Sequence, residues 1–130
     1  MIIGLGMDIV EIARVARILH TSSGARFLAR ILTAKEQELA GKREPRLAEH
    51  AAGRFAAKEA VVKALGCGIG EKVGFQDIEI LPNTEGKPQC MLSPAAMQRL
   101  GYLSGEFRIH VTITHSERTA AATAIVEQLQ

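Results

Sequence analysis

Glu59 and Lys63 stand four residues apart in the stretch Gly53-Arg54-Phe55-Ala56-Ala57-Lys58-Glu59-Ala60-Val61-Val62-Lys63-Ala64-Leu65-Gly66. On a helix they sit one turn apart, with Phe55 one turn before them on the same drifting side. A carboxylate and an ammonium so placed can hold a metal and an anionic group together. They can equally form a plain helix ion pair contributing about 0.2–0.5 kcal/mol, and spacing alone favours that outcome because solvated Glu–Lys pairs are common. A second carboxylate, Asp8, closes the apolar run Ile2–Met7. At the end of a strand it is placed for a site, but Asp is also a good N-cap for the helix that follows. Arg14, Arg17, Arg26 and Arg30 fall within residues 11–30, opposed only by Glu11. Such a surface attracts an acidic partner and raises the encounter rate; the plainer alternative is a solvated helix face.

The elements that hold these residues follow from local signals. Ile2–Met7 has the length of a buried strand, and Gly4 and Gly6 suggest a close backbone approach. Ile9–Leu19 is predicted helical, with Ile12, Val15, Ile18 and Leu19 as its apolar stripe. A short helix follows around Arg26–Leu32, and Thr33 with Glu36 forms a capping box for the next, which ends near Gly41. Glu44-Pro45 marks a boundary, and the long helix runs from about Leu47 to Leu65, with Phe55, Val62 and Leu65 as packing residues and Gly66 at its C-terminal cap. Gly66, Gly68 and Gly70 alternate after it. They do not form a Walker loop, but such a stretch can present backbone N–H groups to an anion or merely connect. Phe75–Leu81 and Gln89–Leu92 read as a hairpin, Ser93-Pro94 as a helix start, and Phe107–Thr114 and Thr119–Val126 as two closing strands. Phe107, Ile109, Val111 and Ile113 would face the core; Arg108, His110, Thr112 and Thr114 would share the other face. His110 taken alone is a solvent-facing strand histidine. The predicted class is α+β, a mainly antiparallel sheet packed against a long central helix.

Composition limits the function classes. The 130 residues suit one domain, 1–130, with 47% apolar and 23% charged residues and a net charge of +2 that does not argue for nucleic acid. No apolar run reaches membrane-spanning length, and the N-terminus lacks a basic region ahead of Asp8, so neither membrane insertion nor a signal peptide is expected. Cys67 and Cys90 have no CxxC partner, which fits a cytoplasmic protein with free thiols.

Three separated pieces then coincide: Gly4-Leu5-Gly6-Met7-Asp8, the Phe55-x-x-Lys58-Glu59-Ala60 stretch with Lys63, and Ile109-His110-Val111-Thr112-Ile113-Thr114-His115-Ser116. Together they closely resemble the holo-acyl-carrier-protein synthases, the short bacterial-type 4′-phosphopantetheinyl transferases. The resemblance covers essentially the whole chain, including Arg30-Ile31-Leu32-Thr33 and Phe75-Gln76-Asp77-Ile78-Glu79-Ile80. It implies transfer of the phosphopantetheine arm of coenzyme A to a serine of apo acyl carrier protein, with adenosine 3′,5′-bisphosphate as the other product and Mg²⁺ required. It implies a homotrimer with active sites at the subunit interfaces. By resemblance, Asp8 and Glu59 are the metal carboxylates, Lys63 and His110 contact the phosphates, and Arg54 with Arg46 holds the 3′-phosphate of coenzyme A. Arg14, Arg26, Phe27 and Arg30 match the docking surface for the acidic carrier protein. The general base stays open between Glu59, a water near the metal and a group brought by the carrier; His115 is a further candidate contact or an exposed turn residue. The short length favours the carrier protein of fatty acid biosynthesis over the carrier domains of larger synthases. The alternative is a non-catalytic carrier-protein or coenzyme A-binding module, against which the presence of both Asp8 and Glu59 argues.

Overall fold

Helix α4 (Leu47–Leu65) is enclosed by the rest of the chain, and alanine is what allows it. Its buried residues are mostly small: Ala51, Ala52, Gly53, Ala56, Ala57, Ala60 and Ala64, with Val61 and Val62. The expected packing residues Phe55 and Leu65 are only partly buried. Gly66 ends the helix in the left-handed conformation (φ 79°), the cap that the sequence predicts. A computed structural model describes residues 1–43, 45–102 and 105–129, so Glu44 of the expected boundary lies outside the described residues.

Around α4 the chain runs β1 (Ile2–Glu11), α1 (Ile12–Leu19), α2 (Gly24–Ile31) and α3 (Ala34–Ala40) before it. After it come a 3₁₀ turn (Phe75–Asp77), β2 (Ile78–Pro82), β3 (Pro88–Leu92), α5 (Pro94–Leu100), β4 (Phe107–His115) and β5 (Thr119–Gln128). Among the described residues two antiparallel sheets form, one of order β1-β5-β4 and one the hairpin β2-β3. The α+β class with a mainly antiparallel sheet is therefore as expected. The Thr33–Glu36 capping box is present, as is the Ser93 cap of α5 with Pro94 in its first turn. The strand expected from Phe75 starts only at Ile78, because Asp77 accepts from the Gly74 N–H at 2.8 Å and winds the first residues into a turn.

The first strand departs most from expectation. It is not buried on both faces, and it continues past Asp8 to Glu11, so Asp8 caps no helix. Only the face carrying Gly4, Gly6, Asp8 and Val10 meets α4. Across the sheet this inner face continues as the rows Gly4–Val126–Ile109, Gly6–Ala124–Val111 and Asp8–Ala122–Ile113. The opposite face carries the rows Leu5–Ile125–His110, Met7–Thr123–Thr112 and Ile9–Ala121–Thr114. Leu5 is 67% exposed and Ile9 60%. Antiparallel sheets can leave one face to water, but here that face is apolar along β1. Among the described residues no helix is long and apolar enough to cross a membrane.

Close contact between β1 and α4 depends on the two glycines. A Cβ on Gly6 would lie 1.9 Å from the Ala60 carbonyl oxygen, and one on Gly4 1.8 Å from that of Ala64. Gly6→Ala must push the strand off the helix that carries Glu59. The expected loss is about 1–3 kcal/mol, read as a lower thermal midpoint together with reduced activity. An unchanged midpoint would show that the strand yields freely.

Candidate functional site

At the β1 edge of the sheet the structure brings Asp8, Glu59 and Lys63 together. The Lys63 ammonium donates to the Met7 carbonyl at 3.0 Å and to Asp8 Oδ1 at 3.2 Å. It thus reaches across to β1 from α4. The Glu59 carboxyl is pushed up from its ordinary value by burial and then by the Asp8 charge, with Lys63 opposing. Two carboxylates close enough to repel each other, beside an ammonium, suit a hard cation bridged to an anionic group. Among the described residues no three His, Cys, Asp or Glu side chains gather as a metal cluster. Mg²⁺ needs no such cluster, since it is usually held by one or two carboxylates with phosphate oxygens and water. The donor set of Asp8 and Glu59 fits it.

These carboxylates open into a cavity of about 800 Å³ that Arg14, Phe27 and Arg30 also line. Its wall is aromatic: Phe27 and Phe55 lie 6.3 Å apart and Phe55 and Phe75 5.6 Å, with the Arg30 guanidinium 5.9 Å above the Phe75 ring. Arg26 is exposed on α2 and does not line this cavity.

Arg46 and Arg54 are elsewhere. They line a second cavity, of about 300 Å³, at the β4 edge of the same sheet, together with Arg43, His50, Ile113 and His115. Gly53 lets α4 lie against this edge, since a Cβ there would meet Ile113 Cγ2 at 3.0 Å. Glu49, the acid in the lining, is held by His115 Nδ1 at 2.6 Å. Burial, opposed by Glu36 and reinforced by Arg43, pulls Arg54 down from its ordinary value. His110 stands on the outer sheet face, where its Nε2 meets Glu127 Oε1 at 3.0 Å. Within one chain the predicted catalytic and coenzyme A-binding residues therefore occupy three places: the β1-edge cluster, the β4-edge cavity and the outer face.

Sequence reading named Lys58 only within the Phe55-x-x-Lys58-Glu59-Ala60 stretch and gave it no role. Among the described residues it is the largest fully buried side chain, and its ammonium donates to the Ile31 carbonyl at 2.7 Å, Glu36 Oε1 at 2.6 Å and the Phe75 carbonyl at 3.0 Å. Glu36 in turn accepts from the Thr33 and Ile80 N–H groups. A buried ion pair is tolerable only when so fully hydrogen-bonded. This one ties Ile31 and Phe75, both in the wall of the larger cavity, to the residue preceding Glu59. Nothing local in the sequence distinguishes Lys58 from a solvated lysine.

Comparison with known proteins gives the family of the chain. A family model described as the 4′-phosphopantetheinyl transferase superfamily matches residues 4–126. The holo-[acyl-carrier-protein] synthase of Anoxybacillus flavithermus is 47% identical over 133 residues, covering 99% of this chain and 98% of the relative. A crystal structure of a holo-(acyl-carrier-protein) synthase from Bacillus anthracis in complex with CoA (3′,5′-ADP) is similar with a TM-score of 0.82 and 39% identity, covering 99% of each chain. The Helicobacter pylori holo-[acyl-carrier-protein] synthase in complex with coenzyme A matches with a TM-score of 0.81 and 32% identity, over 95% of this chain and 99% of that one. The chain belongs to the 4′-phosphopantetheinyl transferase superfamily and, within it, to the holo-[acyl-carrier-protein] synthases.

Proposed function

We propose that the whole chain, as one domain, transfers the 4′-phosphopantetheine arm of coenzyme A to a serine hydroxyl of an apo acyl carrier protein. The observation that carries this reading is the Asp8–Glu59–Lys63 cluster at a cavity that Arg14 and Arg30 also line. The serine oxygen forms a bond to the phosphorus of the arm. The pyrophosphate P–O bond breaks, and adenosine 3′,5′-bisphosphate leaves with the electron pair. The serine proton passes to a water beside the carboxylates. Phosphoryl transfer of this kind needs positioning and charge neutralisation more than covalent help. Asp8 and Glu59 would hold Mg²⁺, which supplies charge neutralisation at the pyrophosphate when bound. Lys63 steadies the charge on the leaving phosphates, and Arg46 with Arg54 takes the 3′-phosphate at the β4-edge cavity.

The acting species in this reading is a homotrimer with interfacial sites. Two observations support it: His110 and Arg54 stand away from Asp8 within one chain, and the outer face of β1 is apolar and uncovered. One copy's His110 and β4-edge cavity would serve the carboxylates of the next. The reading extends to a cytoplasmic role in fatty acid biosynthesis, supported by the free thiols Cys67 and Cys90.

Intact-mass spectrometry of apo carrier protein, incubated with coenzyme A and Mg²⁺, tests the reaction. A gain of one phosphopantetheine is expected; binding of coenzyme A without any gain would leave only a binding module. Arg14 tests the docking face. It is exposed on α1 at the rim of the larger cavity, so Arg14→Glu leaves the fold alone. The carrier-protein KM is expected to rise about tenfold or more, since rim charges steer association, with the coenzyme A KM nearly unchanged. An unaltered carrier-protein KM would remove Arg14 from the docking surface.

A further inference from the structure

His50 and Arg54 lie one turn apart on α4 and line the same β4-edge cavity. Among the described residues, His50 Nε2 and Arg54 Nε are the buried side-chain nitrogens without a hydrogen-bond partner. A buried polar nitrogen left unpaired is costly, and two on one wall point to a ligand that completes them. The charge of the wall says that the ligand is an anion, because Arg43, Arg46 and Arg54 converge there while Glu49 is engaged by His115. His50 differs from the arginines in kind. Burial, then the charges of Arg54 and Arg43, pull its pKa down to about 4, so at neutral pH the ring is uncharged. An uncharged imidazole still carries one N–H. It can donate to an oxygen of a phosphate monoester without adding a cation that the guanidinium groups would repel.

We propose that His50 is a specificity-determining contact, donating Nε2–H to the terminal 3′-phosphate of coenzyme A, so that the cavity distinguishes coenzyme A from its form lacking that phosphate. The inference rests on the reading of this cavity as the 3′-phosphate site. Initial rates with coenzyme A and with dephospho-coenzyme A, at saturating carrier protein, test it in wild type, His50→Phe, His50→Gln and Arg54→Gln. His50→Phe is expected to raise the coenzyme A KM by about ten- to a hundredfold, the span of a lost hydrogen bond to a charged group. The KM for dephospho-coenzyme A should hold. His50→Gln keeps an N–H donor and should recover part of the loss. If Arg54→Gln erases the preference for coenzyme A while His50→Phe keeps it, the His50 assignment fails and the cavity reading stands. If neither variant alters the preference, the cavity reading itself fails. Nitrogen-detected NMR of the wild-type protein gives a readout free of substitutions. The His50 Nε2 signal should move with adenosine 3′,5′-bisphosphate and not with AMP; a signal that answers both alike, or neither, overturns the assignment.

Discussion

Glu59→Gln is expected to leave a folded protein that transfers phosphopantetheine at least a hundred to a thousand times more slowly. The scale is that of removing one preorganised charged or polar group from a transition-state site, about 10²–10³ in kcat. Glu59 is half-buried at the cavity mouth beside Asp8, and the amide has nearly the same shape. Its folded pKa is raised above the unfolded value by burial and by Asp8. A group shifted in that direction gives its full stability below its unfolded pKa, and that contribution is lost as pH rises through the folded pKa. At neutral pH the ionised carboxylate therefore costs the fold something, and the amide removes the cost. The thermal midpoint of Glu59→Gln should match wild type or exceed it while turnover collapses. Carrier-protein mass shift and a melting curve measured together decide the matter. Loss of both stability and turnover would make Glu59 a structural residue, and retained turnover would move the metal site elsewhere.

Part of this architecture was legible because its signals are local. Helix α4 runs over the predicted Leu47–Leu65 since alanine, glutamate and lysine favour helix throughout and Gly66 supplies the left-handed cap. The Thr33–Glu36 box was readable for the same reason, three residues apart with fixed chemistry. The exposure of β1 was not readable. Glycines occupy its inner positions and large apolar residues its outer ones, so the strand reads as apolar throughout and the alternation that marks a half-exposed strand is hidden. Asp8 and Glu59 are separated by most of the chain that precedes α4, and their proximity depends on Gly6 seating against Ala60. The family resemblance supplied that pairing; periodicity could not. His50 was missed although it stands one turn from Arg54, the spacing already weighed for Glu59 and Lys63. What sets it apart is burial of one ring nitrogen, which only the packed helix reveals.

Leu5→Arg should abolish transfer without unfolding the chain. Leu5 points away from α4, in the outer row with Ile125 and His110, and is 67% exposed in the single chain. Nothing in the core depends on it, so circular dichroism and the inner rows of the sheet should be unaffected. In an assembly that covers this face, an arginine would be buried among Ile3, Met7 and Ile9 without a partner. An uncompensated buried charge costs about 3–5 kcal/mol, and a closed symmetric assembly meets that cost at every copy. Light scattering should then report a monomer, and activity should vanish because His110 and the β4-edge cavity no longer meet another copy's Asp8 and Glu59. Wild-type mass with wild-type turnover would show that this face is free. A monomer that still turns over would place a complete site within one chain. Mixing two inactive variants separates the last alternative directly. If each site takes Glu59 from one copy and His110 from another, co-refolded Glu59→Gln and His110→Ala chains should regain roughly a quarter of wild-type activity, the fraction of interfaces in a random closed ring that pair both intact residues. With both residues drawn from one chain, mixing would restore none.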